Sequence, residues 1–161
     1  MDNQLVNAAR AHFHHSLIVN FMNKYKEMIQ FFTEEVWNKK NFQVFDEMIH
    51  RNFVYNDSIA TFVKTKDEYK AFISDIQSRS SDMNYETLDI ITESNKVVVL
   101  YSFQGTPATD PTGVSLSGKK VEHKGIAIYY FDEDEIVKIW DVWDLYSVLI
   151  QLKKIPNMYA Q

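Results

Sequence analysis

Residues 119–144 read KKVEHKGIAIYYFDEDEIVKIWDVWD, and the alternation in this stretch decides the fold. Successive side chains on a strand point to opposite faces, so residues 121, 123 and 125 share one face of the first run. The acidic turn Asp132-Glu133-Asp134-Glu135 separates it from a second run. There Trp140, Val142 and Asp144 fall on one face, and Ile139, Asp141 and Trp143 on the other. Two further strand-like runs lie upstream, near 84–93 and 96–104, the latter holding Val97-Val98-Val99-Leu100-Tyr101. With strands near 119–131 and 135–144 they predict a four-stranded antiparallel meander, and a last short helix follows near 145–152.

Upstream of Met83 the period changes from two to 3.6. Ile18, Met22, Tyr25, Ile29, Phe32 and Val36 form one apolar stripe at alternating spacings of four and three, which predicts a long helix. Phe42 to Ile49 reads as a second, short helix, and Phe53-Val54-Tyr55 as a brief strand ending in the turn composition Asn56-Asp57-Ser58. Thr65-Lys66-Asp67-Glu68 is a capping box, and the helix it starts carries Tyr69, Phe72, Ile73 and Ile76 on its inner face. Residues 1–15 read as a weakly ordered lead-in to a single domain over 16–161. Helices first and an antiparallel sheet afterwards is an α+β order. Such a sheet carries helices on one face, and when strongly curved and closed by them it encloses a cone.

Composition narrows the chemistry. A chain of 161 residues with 45% hydrophobic residues builds one core without staples. Eleven Phe, nine Tyr and three Trp are an excess of aromatics able to line the cone. The absence of cysteine excludes a disulfide framework, a cysteine nucleophile and thiolate metal sites. A net charge of -5, with lysines scattered among acids, points away from nucleic acid. No run approaches the roughly 18 apolar residues of a membrane span, and the N-terminus lacks a signal-peptide layout; a cytoplasmic protein is expected. There is no Gly-x-Ser-x-Gly elbow, phosphate-binding glycine loop or dinucleotide fingerprint, so no cofactor is expected. His12-x-His14-His15 sits in the lead-in without a carboxylate at useful spacing, and no metal site is expected.

The segment 105–152 resembles the C-terminal half of the SnoaL-like polyketide cyclases, α+β cones of the nuclear transport factor 2-like (cystatin-like) superfamily. The resemblance rests on Pro111-Thr112-Gly113 before a strand, the run Ile126 to Phe131, Ile136, Trp140-x-x-x-Asp144 and Gln151-Leu152. Glu35-Val36-Trp37-Asn38 and Phe53-Val54-Tyr55-Asn56-Asp57 extend it to about residues 20–153. It implies N-terminal helices packed on a strongly curved antiparallel sheet. It also implies cofactor-free ring closure by intramolecular aldol condensation, with an Asp as general acid/base in an aromatic pocket, and a homodimer formed through the outer face of the sheet. The chain departs from the family at the turn 132–136, where acidic-Gly-Lys-Ile is usual, and at Lys138, Ile139 and Lys153. Arg10, Arg51 and Arg79 are the only arginines and none lies on the late strands, which disfavours the Asp–Arg–Asp chemistry of cone-fold epoxide hydrolases.

Three residues are candidates for catalysis. Asp144 matches the family's Asp in position, and it equally fits an N-cap of the last helix. Asp141 lies on the opposite strand face, so on a regular strand only one of the two faces the cavity; a solvated strand-edge acid is its other reading. His123 shares a face with residues 121 and 125 and either reaches into the cone or sits on the surface between Glu122 and Lys124. Tyr25, Tyr55, Asn56 and Trp140 are the candidate substrate-binding groups: Asn56 as a hydrogen-bond donor to an enolate or carbonyl oxygen, the rings as walls. The 104–117 loop reads as a lid over the cone or as a simple hairpin connection. The expected function is acid/base catalysis, of cyclase or isomerase type, on a hydrophobic carbonyl compound. The alternative is a non-catalytic small-molecule-binding or dimerisation module. The enzyme reading requires an open cavity with a buried carboxylate.

Overall fold

The computed structural model describes residues 24–109 and 118–158. Ile18, Met22, the 1–15 lead-in with its histidines, Pro111-Thr112-Gly113 and the 110–117 part of the expected lid lie outside the described residues. Helix α1 spans 24–38 in the described part and buries Tyr25, Ile29, Phe32 and Val36, the stripe read from the sequence. Its last turn, Thr33–Asn38, is a π-helix. The wider turn rotates the following residue inward, so that adjacent Val36 and Trp37 are both buried. Gln77 Nε2 donates to the carbonyls of Val36 (2.7 Å) and Trp37 (3.1 Å), satisfying groups in this turn from the facing helix.

Helix α2 (Phe42–Met48) is capped by Asn41 and leads directly into β1 (Ile49–Asp57). Helix α3 (Lys66–Arg79) begins at the expected capping box: Thr65 Oγ1 accepts from Glu68 N, and Glu68 Oε2 accepts from Thr65 N. The strands β2 (Asn84–Glu93), β3 (Lys96–Gly105), β4 (Val121–Asp132) and β5 (Glu135–Trp143) form the antiparallel meander, and α4 (Leu145–Gln151) ends it.

The sheet has five strands in the order β1-β5-β4-β3-β2, and β1 runs parallel to β5. It is therefore mixed, not purely antiparallel as the meander alone predicts. The edge of β5 left free by the meander is covered by β1, which is nine residues long and not the expected three. Asn56 and Asp57 belong to that strand, paired with Trp140 and Asp141; the turn begins one residue later because Asp57 Oδ1 accepts from the backbone of Ile59 (2.5 Å) and Ala60 (2.6 Å). Register shifts between Ile49 and Val54, Thr87 and Asp89, and Tyr130 and Phe131 bend the strands, and the sheet curves around the helices. The architecture is the α+β fold of the sequence reading. No helix among the described residues is long and apolar enough to cross a membrane.

Candidate active site

The concave face of the sheet does not fill with side chains. A cavity of about 220 Å³ remains between it, α3 and α4. Its wall is apolar and aromatic: Trp37 from the π turn, Phe72 and Ile76 from α3, Phe103 from β3, Trp143 from β5, and Leu152 just after α4. Five tyrosines also line it, at positions 55, 69, 85, 101 and 129. Among the described residues, two carboxylates open into this wall, Asp57 and Asp141.

Strand alternation explains which acid faces in. Ile139, Asp141 and Trp143 point to the concave side, whereas Trp140 and Val142 point away and are 45% and 56% exposed. Asp141 is half-buried, its remaining accessibility facing the cavity. Its Oδ1 accepts a hydrogen bond from Tyr101 Oη at 2.9 Å, and its Oδ2 one from Tyr55 Oη at 3.2 Å. Tyr55 Oη stands at the same 3.2 Å from Asp57 Oδ2, so one phenol hydrogen is shared between two carboxylates. The two acids are register partners across the parallel β1–β5 pair.

The electrostatics follow from this placement. Burial in the apolar wall pushes the Asp141 carboxyl up to about 7, and the negative charge of Asp57 adds to it; hydrogen bonds from Tyr101 and Tyr55 pull the other way. The Tyr55 and Tyr101 phenols are raised far above their ordinary value, by burial first and the Asp141 charge second, and stay neutral donors. Such a carboxyl exchanges a proton near neutrality between two fixed donors.

Gly125 makes this geometry possible. A Cβ there would overlap the ring and hydroxyl of Tyr101, which lies flat across the glycine and so reaches Asp141. Tyr85 stacks on the other side of that ring at 4.7 Å.

The remaining sequence candidates fall in different places. His123 is on the cavity wall, its ring between Phe103 (5.2 Å) and Trp143 (4.9 Å). Burial lowers its pKa, and its Nδ1 is buried without a hydrogen-bond partner. Asp144 is exposed and caps α4, its Oδ1 accepting from Ser147 N at 2.8 Å; it does not line the cavity. Tyr55 lines the cavity, while Asn56 beside it donates to the Ile139 carbonyl at 3.4 Å and is not part of the wall. Trp140 lies on the outer face of the sheet with Lys138 Nζ 5.7 Å from its ring. Tyr25 is buried against Phe131 at 4.5 Å, in the core and not at the cavity. Arg79 reaches the cavity from the end of α3, ion-paired with Asp75.

Asp57 was missed by the sequence reading because Asn56-Asp57-Ser58 has the composition of a turn. The signal was present: Asp57 is two residues from Tyr55 and therefore on the same strand face. No group of three His, Cys, Asp or Glu able to hold a metal occurs among the described residues.

The sequence profile of the SnoaL-like polyketide cyclases matches residues 27–152. Among solved structures, a candidate SnoaL-like polyketide cyclase from Jannaschia superposes with a TM-score of 0.74 at 17% identity, over 84% of this chain and 95% of that one. AclR, a candidate hydroxylase from Streptomyces galilaeus, gives 0.73 at 18% identity, over 84% and 99%. A candidate polyketide cyclase from Acidithiobacillus ferrooxidans gives 0.71 at 24% identity, over 80% and 94%. At these identities the likeness establishes the fold. Comparison with curated proteins gives no significant match. The profile covers most of the chain and the concave cavity it builds, and this protein belongs to the SnoaL-like polyketide cyclase family.

Proposed function

We propose that this protein is a cofactor-independent acid/base catalyst of cyclase or isomerase type, acting on a hydrophobic, carbonyl-containing small molecule. Asp141 is the group that takes and returns the proton. The observation that carries the reading is a carboxyl held between the Tyr101 and Tyr55 hydroxyls in an apolar cavity, whose burial pushes it up to about 7.

Ring closure of the aldol kind removes a proton from the carbon next to one carbonyl and delivers one to the oxygen of the other as the carbon–carbon bond forms. Isomerisation removes and returns a proton at two carbons of one conjugated system. Both need one group that is base and then acid at the same pH, which a pKa near 7 provides. The phenols stay neutral throughout, and their hydrogen bonds with Asp141 fix its orientation. His123, neutral and with an unpartnered Nδ1, supplies a second polar contact on the neighbouring strand β4 of the same wall. An apolar cavity of about 150 Å³ holds one benzene ring; at about 220 Å³ this one takes a ligand of one or two rings. Asp144, Tyr25, Asn56 and Trp140 play no part in this scheme.

Hydrogen–deuterium exchange next to the carbonyl of one- and two-ring ketones tests the proposal without the natural substrate. Wild-type protein accelerates exchange, D141N loses the acceleration by roughly 10²–10⁴-fold, and D144N retains it. If the same ketones raise the melting temperature but do not exchange, the cavity belongs to a binding module and the catalytic reading falls.

We also propose a homodimer through the convex face. Ile126 and Val142 are cross-strand partners there, 49% and 56% exposed, with Trp140 and Val54 beside them. A self-complementary apolar sheet face suits a two-fold interface. Sedimentation equilibrium reads the state: V142E leaves a monomer, and a monomeric wild type refutes the interface.

A further inference from the structure

Asp57 is a buried acid with an unusual set of partners. Its Oδ1 is fixed by the Ile59 and Ala60 backbone N–H groups at 2.5 and 2.6 Å. Its Oδ2 faces Tyr55 Oη at 3.2 Å, the distance at which the same hydroxyl faces Asp141 Oδ2. A phenol has one hydrogen to donate, so it serves one carboxylate at a time. Asp141 Oδ1 is occupied by Tyr101 at 2.9 Å, which leaves Oδ2 as the oxygen that carries the acid proton.

We propose that Asp57 is a positioning residue that acts on Asp141 through Tyr55. While Asp141 is protonated, its Oδ2–H donates to Tyr55 Oη and the Tyr55 hydrogen points to Asp57 Oδ2. Once Asp141 has lost its proton, the Tyr55 hydrogen rotates about the C–O bond and donates to Asp141 Oδ2. No covalent bond breaks on Tyr55 and no proton leaves the trio, except the one that Asp141 itself exchanges. Asp57 thereby keeps the acid proton on the oxygen facing Tyr55 and favours the protonated form of Asp141. This inference rests on the reading of Asp141 as the acid/base.

Other titratable or charged groups face the same cavity: Tyr69 and Arg79 from α3, Tyr85 from β2, Tyr101 from β3, and Tyr129 and His123 from β4. The Arg79 charge is balanced by Asp75, burial keeps the phenols neutral, and burial lowers the His123 pKa. Among the described residues, Asp57 is then the anionic neighbour that bears on Asp141.

Carboxyl-carbon NMR of the full chain with ¹³C-labelled aspartate reads this directly and needs no substrate. In wild type, the Asp57 signal inflects at the pH where Asp141 titrates, because Tyr55 changes acceptor there. In Y55F that inflection disappears. In D57N the amide oxygen keeps the Ile59 and Ala60 contacts while its NH₂ donates to Tyr55, turning the phenol hydrogen to Asp141 permanently. The Asp141 midpoint then falls by on the order of one pH unit or more, since a like charge is lost and a donor is gained. Because Asn preserves the backbone contacts, a merely structural role for Asp57 leaves the midpoint in place. An Asp57 signal that stays flat through the Asp141 titration overturns the proposal, and so does an unmoved midpoint in folded D57N. If D57N does not fold, the wild-type and Y55F titrations still decide. None of these readouts depends on turnover: loss of ketone exchange as the test of Asp141 is a separate result.

Discussion

Replacing Asp141 by Asn is expected to stabilise the protein at pH 8, and by progressively less as the pH falls toward 4. The unfolded chain releases this proton near the ordinary value of 3.8, and the folded chain near 7. The folded state therefore binds the proton more tightly, and the stability this gives is complete below pH 4 and is lost as pH rises to 7. About three pH units at about 1.4 kcal/mol each amount to about 4 kcal/mol. Solvent reaching the half-buried carboxyl through the cavity reduces the effect, to about 2 kcal/mol if it is halved. Asn reproduces the protonated acid: its oxygen accepts from Tyr101, its NH₂ donates to Tyr55, and it has no charge to bury. Urea denaturation of both proteins at pH 5, 6, 7 and 8, followed by tryptophan fluorescence, measures the difference. At pH 8 the variant should be ahead by about 2 kcal/mol, or about 4–8 °C in melting temperature, with the gap closing as pH falls. A gap independent of pH would refute the claim that burial raises this carboxyl.

Three other variants probe the same architecture. Y101F removes the strongest hydrogen bond holding the carboxylate form, so the Asp141 midpoint should rise further above 7 in the NMR titration. G125A forces the Tyr101 ring off its seat; the same bond is lost and ketone exchange should fall by an order of magnitude or more, with a crystal structure showing the displaced phenol. D144A removes the α4 cap and should lower stability by about 1 kcal/mol, with exchange per folded molecule unchanged, as read by denaturation and by the ketone assay.

Much of the fold was legible in the sequence because burial is periodic. The meander announced itself by alternation, and the α1 and α3 faces by spacings of three and four. What escaped was whatever depends on pairing between distant segments. Nothing local in Phe53-Val54-Tyr55 says that the strand continues to Asp57, since its length is set by β5, more than eighty positions away. The parallel β1–β5 edge and the Asp57–Tyr55–Asp141 trio are consequences of that one pairing. Alternation narrowed the cavity-facing acid to one of two, and the family resemblance favoured Asp144. The structure instead ends β5 at Trp143, which frees Asp144 to cap α4. Tyr25 read as a pocket wall because helical spacing gives the buried face and not the depth along it. Trp140 read as a wall because it shares a strand face with Asp144, the acid that the resemblance placed in the pocket; that face points outward.

The β1–β5 pairing also bears on when the site comes into existence. Tyr55 and Asp141 lie 86 positions apart, whereas the meander strands meet their neighbours across short hairpins or one longer loop. Closing so long a loop carries an entropic penalty that local contacts do not, and contacts of high sequence separation slow folding. During synthesis, β1 stays without its sheet partner until β5 has emerged. The Asp57–Tyr55–Asp141 trio then assembles at the moment the sheet closes, so that an intermediate lacking that closure has its strands and helices but not these contacts. Recovery of the Asp141 titration on refolding would time the closure of the sheet.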